Sequence, residues 1–323
     1  MRWISDYAAR LRQGPRLGGH VVREHIAEAT GDANAAADPF IFRFDEFEVH
    51  AYHAELPLPH TLYATYGLSR VNSTVPVAGT QTELTMRVPA DTPVPYAWPA
   101  EQLAAMVALI RRTGNEIAPG HHLRLAAPVT EDATICGFTF VTDPILGVIE
   151  TPTGVVRFTY AVGVTAQELD AALSWDPTKF TGVLGDYVPL GITDPARETI
   201  LSYPDARARV EAGTLEDGSS ISAAHAKLLA VDSKGRIDMD TRAAQALLRA
   251  ARHRLGRGRS FALVRDETWL LLGPDAPFEA GATHLQVPAT RPLIDELLAT
   301  FDTTPGVYRL RTVPVEIHVV GDR

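Results

Sequence analysis

The spacing of apolar residues changes period several times along the chain, and each change marks an element. Between His20 and Thr30, Val21, Val22, Ile26 and Ala29 recur at helical spacing, and Gly31 closes the run. Over residues 40–56 the period drops to two. Phe40, Phe42 and Phe44 share one strand face, whereas Phe47, Val49 and Ala51 have the opposite parity. A bulge or turn near Asp45-Glu46 reconciles the two halves. Residues 61–71 and 82–88 read as further strands around a polar, glycine-containing loop. A proline-rich connector, 92–99, follows. Pro99 suits the first turn of a helix, in which Leu103, Met106, Val107 and Ile110 share one apolar face up to Gly114. Strands are expected at 123–127, 135–141 and 155–162. Thr165 with Glu168 three residues on forms a capping box for a helix carrying Leu169, Ala172 and Leu173. Residues 180–184 belong to the next short helix.

After about residue 190 the pattern weakens. Residues 194–222 are rich in Pro, Gly and acidic groups. A strand is expected at 223–231, and Asp240-Thr241 opens a helix with Ala244, Leu247, Leu248 and Ala251. Strands at 261–264, 268–272 and 284–287, a helix at 290–301, and strands at 307–311 and 315–320 complete the chain. With 323 residues there is enough chain for a full core and for two domains. The expectation is an α+β protein of two mixed α/β domains: a lead-in at 1–19, a larger domain at 20–222 and a smaller α+β domain at 223–323.

Charge narrows the partners. The net charge of −9 opposes binding to nucleic acid and to anionic membranes, and favours a basic partner. Cys136 is the only cysteine, so no intrachain disulfide can form, which fits a reducing cytoplasm. Its place in the apolar run 135–141 reads as a buried, inert thiol. The N-terminus carries no long apolar stretch and no 18-residue apolar run occurs, so a cytoplasmic protein is expected.

Catalytic chemistry finds little purchase. His50 and His53 lie three apart, with His60, His121 and His122 further on, but the zinc-helix pattern His-Glu-x-x-His is absent. On a strand His50 and His53 point to opposite faces, a poor arrangement for sharing one ion. Structural or surface roles are the expectation, and no metal, cofactor or catalytic residue is assigned; a metal-dependent hydrolase using these histidines is the remaining alternative. Gly67-Leu68-Ser69-Arg70 lacks the second glycine of a nucleophile elbow. No phosphate-binding glycine loop is present; Gly256-Arg257-Gly258 lacks the strand-to-helix context. The carboxylate pairs Glu131-Asp132 and Glu216-Asp217 sit beside turn residues and read as solvated. Arg249, Arg252, His253, Arg254, Arg257 and Arg259 form one positive cluster at a helix end, complementing the helix dipole or gripping an acidic segment. Trp98, Trp175 and Trp269 read as core anchors.

Several blocks occur in an order that carries more information than any one of them. These are Tyr66-Gly67-Leu68-Ser69, Glu83-Leu84-Thr85-Met86, Trp98-Pro99-Ala100-Glu101, Gly154-Val155-Val156-Arg157-Phe158 and Val162-Gly163-Val164 followed by Glu168-Leu169. Arg209-Val210-Glu211-Ala212-Gly213 then leads to Glu216-Asp217-Gly218-Ser219. Together they resemble the Suppressor of fused (SUFU) domain family. Residues 255–261, with Arg257-Gly258-Arg259, resemble the start of the C-terminal domain of the longer, animal-type members. The resemblance implies a SUFU-like N-terminal domain with a smaller C-terminal domain, and a non-enzymatic protein that binds a protein partner.

Animal members of that family hold a zinc-finger transcription factor, a short segment of which adds as a β-strand between the two domains. Aligned from Trp98 without gaps, Leu109 and His121 stand where animal members use a tyrosine and an aspartate, and a third, acidic position falls near Thr142. These departures argue against the same ligand. Many bacterial members resemble immunity proteins of polymorphic toxin systems. The Ala- and Arg-rich composition and the missing disordered insertion favour that branch, so a toxin-neutralising role is expected, with a regulator of an endogenous factor as the alternative. By the family's groove, Tyr66, His121, Asp143, Arg257 and Arg259 are the expected partner-binding residues, lying between the domains.

Overall fold

The structure, a computed structural model, describes residues 19–30, 39–69, 81–152 and 154–321. Most of the expected lead-in, the stop at Gly31 and residues 70–80 lie outside them. The chain divides into two compact units. The first takes the described residues within Met1–Leu169 and Thr181–Ser202, the second those within Asp170–Phe180 and Tyr203–Arg323.

The first unit opens with α1 (Gly19–Thr30) and the strands β1 (Phe40–Arg43), β2 (Glu48–Ala54), β3 (His60–Tyr66) and β4 (Thr82–Pro89). Helix α2 (Trp98–Thr113) precedes β5 (His122–Arg124), β6 (Ile135–Thr142), β7 (Val148–Thr151) and β8 (Gly154–Thr165). They form one sheet in the order β1-β2-β3-β4-β8-β6-β5, with β7 also paired to β8. The β4–β8 pairing is parallel. The parity switch after Phe44 is a hairpin turn: Phe44 N–H donates to the Phe47 carbonyl at 3.0 Å, and Phe42 comes opposite Val49 on one face.

Each face of this sheet has its own cover. On one side α2 lays Leu103, Met106, Val107 and Ile110 against Leu84, Met86, Val88, Phe138 and Phe140. Each such side chain contributes roughly 1.5–3 kcal/mol of burial free energy. The helix ends where Gly114, at φ 69°, returns its N–H to the Ile110 carbonyl. On the other side α1 packs Val22 and Ile26 with Tyr52, Leu62 and Phe158.

Helices α3 (Ala166–Ser174) and α4 (Pro177–Tyr187) carry the chain out of the first unit and back. The capping box forms: Thr165 N–H donates to Glu168 Oε2 at 2.9 Å, and Glu168 N–H to Thr165 Oγ1 at 3.3 Å. The second unit contains α5 (Pro204–Asp217), β9 (Ala223–His225), β10 (Leu229–Val231) and β11 (Arg236–Asp240). Next come α6 (Thr241–His253), β12 (Phe261–Arg265), β13 (Thr268–Gly273), β14 (Glu279–Ala280) and β15 (His284–Pro288). Then α7 (Arg291–Thr300), β16 (Gly306–Arg309) and β17 (Glu316–Val320) close the unit. Its sheets run β10-β11-β17-β16 and β14-β15-β13-β12-β9, and both share one core with α6 and α7.

Several expectations need correcting. The single strand at 223–231 is two short strands in different sheets, because the turn at 226–228 lets the chain change layers. Within the Pro- and acid-rich stretch 194–222 lies helix α5, which buries only Ala206 and Val210 and so shows almost no apolar stripe. Its anchor is Trp175. A Cβ on Gly213 would stand 2.3 Å from the Trp175 ring, whose Nε1 donates to Asp217 at 2.7 Å. Residues 170–180 therefore belong with α5 in the second unit, and the boundary expected at 222/223 falls inside it. Strands β7, β11 and β14 were not expected. Cys136 is half-buried rather than buried, and Trp98 and Trp269 are likewise only partly covered.

Candidate functional site

Strand β4 alternates as a half-buried strand should, yet both of its faces are inside. Leu84, Met86 and Val88 enter the α2 core, while Glu83, Thr85 and Arg87 on the other face are no more than 1% exposed. A buried polar face survives only if its groups find partners. The Glu83 carboxylate accepts from Thr65 Oγ1 at 2.6 Å, Ser69 Oγ at 2.5 Å and the N–H groups of Gly67 at 3.1 Å and Ser69 at 2.9 Å. This explains why Tyr66-Gly67-Leu68-Ser69 and Glu83-Leu84 occur together. The carboxylate folds the turn after β3 around itself. Burial pushes the Glu83 carboxyl above its ordinary value, against the pull of these donors.

Arg87 and Asp143 form a two-pronged ion pair, Nη1 to Oδ2 at 2.8 Å and Nη2 to Oδ1 at 2.9 Å. Thr85 Oγ1 adds a bond to Asp143 at 2.7 Å, and Ile145 and Leu146 N–H each donate at 3.0 Å. The guanidinium lies 4.7 Å over the Tyr160 ring. Burial alone would raise the Asp143 carboxyl, but the Arg87 charge together with the hydrogen bonds from Arg87, Leu146 and Thr85 outweighs it and holds the group below the carboxylate range. A second such group is Glu168, which takes Arg197 Nη1 at 2.7 Å and Nη2 at 2.6 Å, and Ile200 N–H at 2.8 Å.

The five expected partner-binding residues are therefore not equivalent. Asp143 is 1% exposed, and both its oxygens are occupied inside the first unit. Tyr66 is half-buried and stacks on His50 at 4.8 Å. His121 is exposed, its Nδ1 3.2 Å from the Glu116 carbonyl. In the second unit Arg257 donates to the Leu215 and Glu216 carbonyls and so caps α5, while Arg259 is exposed on the following loop. The first three lie in one unit and the two arginines in the other.

The histidines likewise separate. His50 is buried between Glu48, at 2.9 Å, and the Tyr52 hydroxyl, at 3.2 Å, whereas His53 is exposed beside Glu55. Burial lowers the His60 ring below its ordinary value. Among the described residues no three His, Cys, Asp or Glu side chains come together as a metal site. Arg87, the partner that fixes Asp143, was missed in the sequence. Its signal was an arginine in the middle of a strand, at the same parity as Glu83 and Thr85.

Residues 44–198 match the family described as Suppressor of fused protein (SUFU). They form a SUFU domain. Human Suppressor of fused homolog is 32% identical over 187 residues, covering 52% of this chain and 38% of the human protein. The mouse homolog matches to the same extent. The matched stretch thus spans well under half of these relatives. In fold, the chain matches the crystal structure of Drosophila Suppressor of Fused over 94% of its length and 97% of that chain, with a TM-score of 0.68 at 16% identity. It also matches the crystal structure of the Sufu–Fu complex, with a TM-score of 0.53 at 22% identity, over 61% of this chain and 98% of that one. The α+β SUFU fold is therefore shared, and the second unit with it. Within the SUFU domain the ordered blocks prove to be mainly scaffold: Glu83 anchors the turn after β3, Trp98-Pro99 starts α2, and Glu168 caps the start of α3.

Proposed function

We propose that this chain is a non-enzymatic binding protein that captures and holds a protein partner. The observation that carries this reading is the SUFU domain itself, set in a fold shared with Drosophila Suppressor of Fused across both units. A relative of that fold is solved in a complex with Fu. The finer reading is that the partner is a toxin domain that this chain neutralises in the cytoplasm. The net charge of −9 supports it, because an acidic surface steers a basic partner. The Sufu–Fu complex favours a second reading, in which the chain holds an endogenous regulatory factor. Exposed His121 and Arg259 and half-buried Tyr66 are the proposed contact residues, with Arg257 capping α5 two positions before Arg259. Asp143 acts from the interior.

Affinity capture from the source organism with the full chain as bait, followed by mass spectrometry and reconstitution, tests the reading. One stoichiometric partner whose toxicity the chain suppresses establishes the neutralising role. A stoichiometric non-toxic regulator favours the second reading. Capture of nothing stoichiometric under several growth conditions overturns both.

A further inference from the structure

The sheet β10-β11-β17-β16 ends at β16, a strand with no neighbour on its far side among the described residues. Leu310 N–H donates to the Val315 carbonyl at 3.0 Å, which fixes the phase of the antiparallel ladder. With Arg309 opposite Glu316 and Val307 opposite His318, those two pairs are the non-bonded ones. The backbone N–H and C=O of Val307 and Arg309 therefore point outward, away from β17. Alternation also settles the side chains. Ile317, Val319, Ile237 and Met239 enter the core, whereas Val307, Arg309, His318 and Asp238 lie on the uncovered face. That face holds a shallow groove of about 410 Å³, walled by Leu228, Ala230, Val307 and Val320, with Asp238 and His318 on its floor. Val307 and Val320 are 54% and 40% exposed, apolar surface next to unpaired backbone.

From this edge and groove we infer that β16 is a docking site for an extended segment of a protein partner, which adds as a further strand. The residue paired with Val307 lies beside the groove and is aliphatic. Two residues along, the one paired with Arg309 is a carboxylate, which the arginine's exposed guanidinium meets on the same face. Arg309 already pairs with Glu316 at 2.5 Å, so the incoming acid completes an Arg-centred pair of carboxylates. Pro305 has no N–H to extend the ladder, so the recognised segment is short.

A second copy of this chain is a poor occupant. Pairing Val307 with Val307 sets Arg309 against Pro305. Pairing Arg309 with itself opposes like charges, and pairing Val307 with Arg309 sets valine against arginine at both ends. This site rests on the proposed protein-binding role.

The test is selection of a phage-displayed library of random 12-residue peptides on the full chain. Affinities of the enriched peptides are then measured for wild type, Val307→Pro and Arg309→Glu. The expected result is enrichment of an aliphatic residue and an Asp or Glu two positions apart. Binding should fall at least tenfold in Val307→Pro, which removes a donor from the edge, and in Arg309→Glu, which switches preference to a basic residue. Arg309 is largely exposed, so its variant folds even if the proline variant does not. No enrichment of that pattern, or equal binding by wild type and Arg309→Glu, overturns the site. A native partner captured equally by all three proteins leaves the binding role standing and overturns only the β16 site.

Discussion

Replacing Asp143 by alanine should destabilise the first unit far more than it changes partner binding. The carboxylate holds five hydrogen bonds, two of them from Arg87, and neither residue's side chain is more than 1% exposed. Its removal leaves a guanidinium in the interior with no counter-charge, a change that costs roughly 3–5 kcal/mol. With a urea m-value of about 2 kcal/mol/M, the midpoint falls by roughly 1.5–2.5 M. Urea unfolding followed by far-UV circular dichroism reads this directly. The double variant Arg87→Met/Asp143→Leu removes both charges and should cost less than Asp143→Ala alone, because the desolvated cation has gone. A loss under about 1 kcal/mol for Asp143→Ala would place the pair with exposed ion pairs and refute the reasoning. So would a double variant whose cost equals the sum of the two single losses.

Other expectations follow from the same structure. The Asp143 carboxyl titrates below its unfolded value of about 3.9, so its stabilisation is complete above that pH and is lost as pH falls through the folded value. Acid titration of stability should therefore be shallower below about pH 4 in the Arg87→Met/Asp143→Leu variant than in wild type. Asp240 caps α6 through Arg242 N–H at 2.8 Å and Ala243 N–H at 3.0 Å, and also takes Leu228 N–H at 2.9 Å. Asp240→Ala should cost about 1–2 kcal/mol, read as a lowered thermal midpoint. Gly213→Ala puts a methyl 2.3 Å from the Trp175 ring. It should cost roughly 1–3 kcal/mol and alter the near-UV dichroism of that indole. His50→Ala should leave zinc uptake by equilibrium dialysis unchanged while lowering stability, since the ring stacks on Tyr66 and bonds Glu48. Loss of a stoichiometric bound zinc would instead support a metal site.

What the chain's own pattern decided is local. The 3-4-7 spacing from Leu103 to Ile110, Pro99 at its start and Gly114 at its end specify α2, because helix propensity, caps and burial agree over one stretch. Asp240 before α6 and the Thr165–Glu168 box were legible for the same reason: a cap acts over three residues. The reversal of parity between Phe44 and Phe47 told of a turn, which the hairpin supplies. Helix α5 was hidden because one tryptophan from residue 175, rather than a stripe of its own, holds it in place.

Tertiary structure decided what covers each face. Period two in β4 shows that Glu83, Thr85 and Arg87 share a side, but not that the turn after β3 and the Asp143 turn bury it. The Arg87–Asp143 pair joins positions 56 residues apart, and only the register of β4 on β8 and the turn after β6 bring them together. Asp143 therefore read as a surface contact and lies in the core. The free edge at β16 is likewise a property of strand order, which hydrogen bonds between distant segments set and no local spacing encodes.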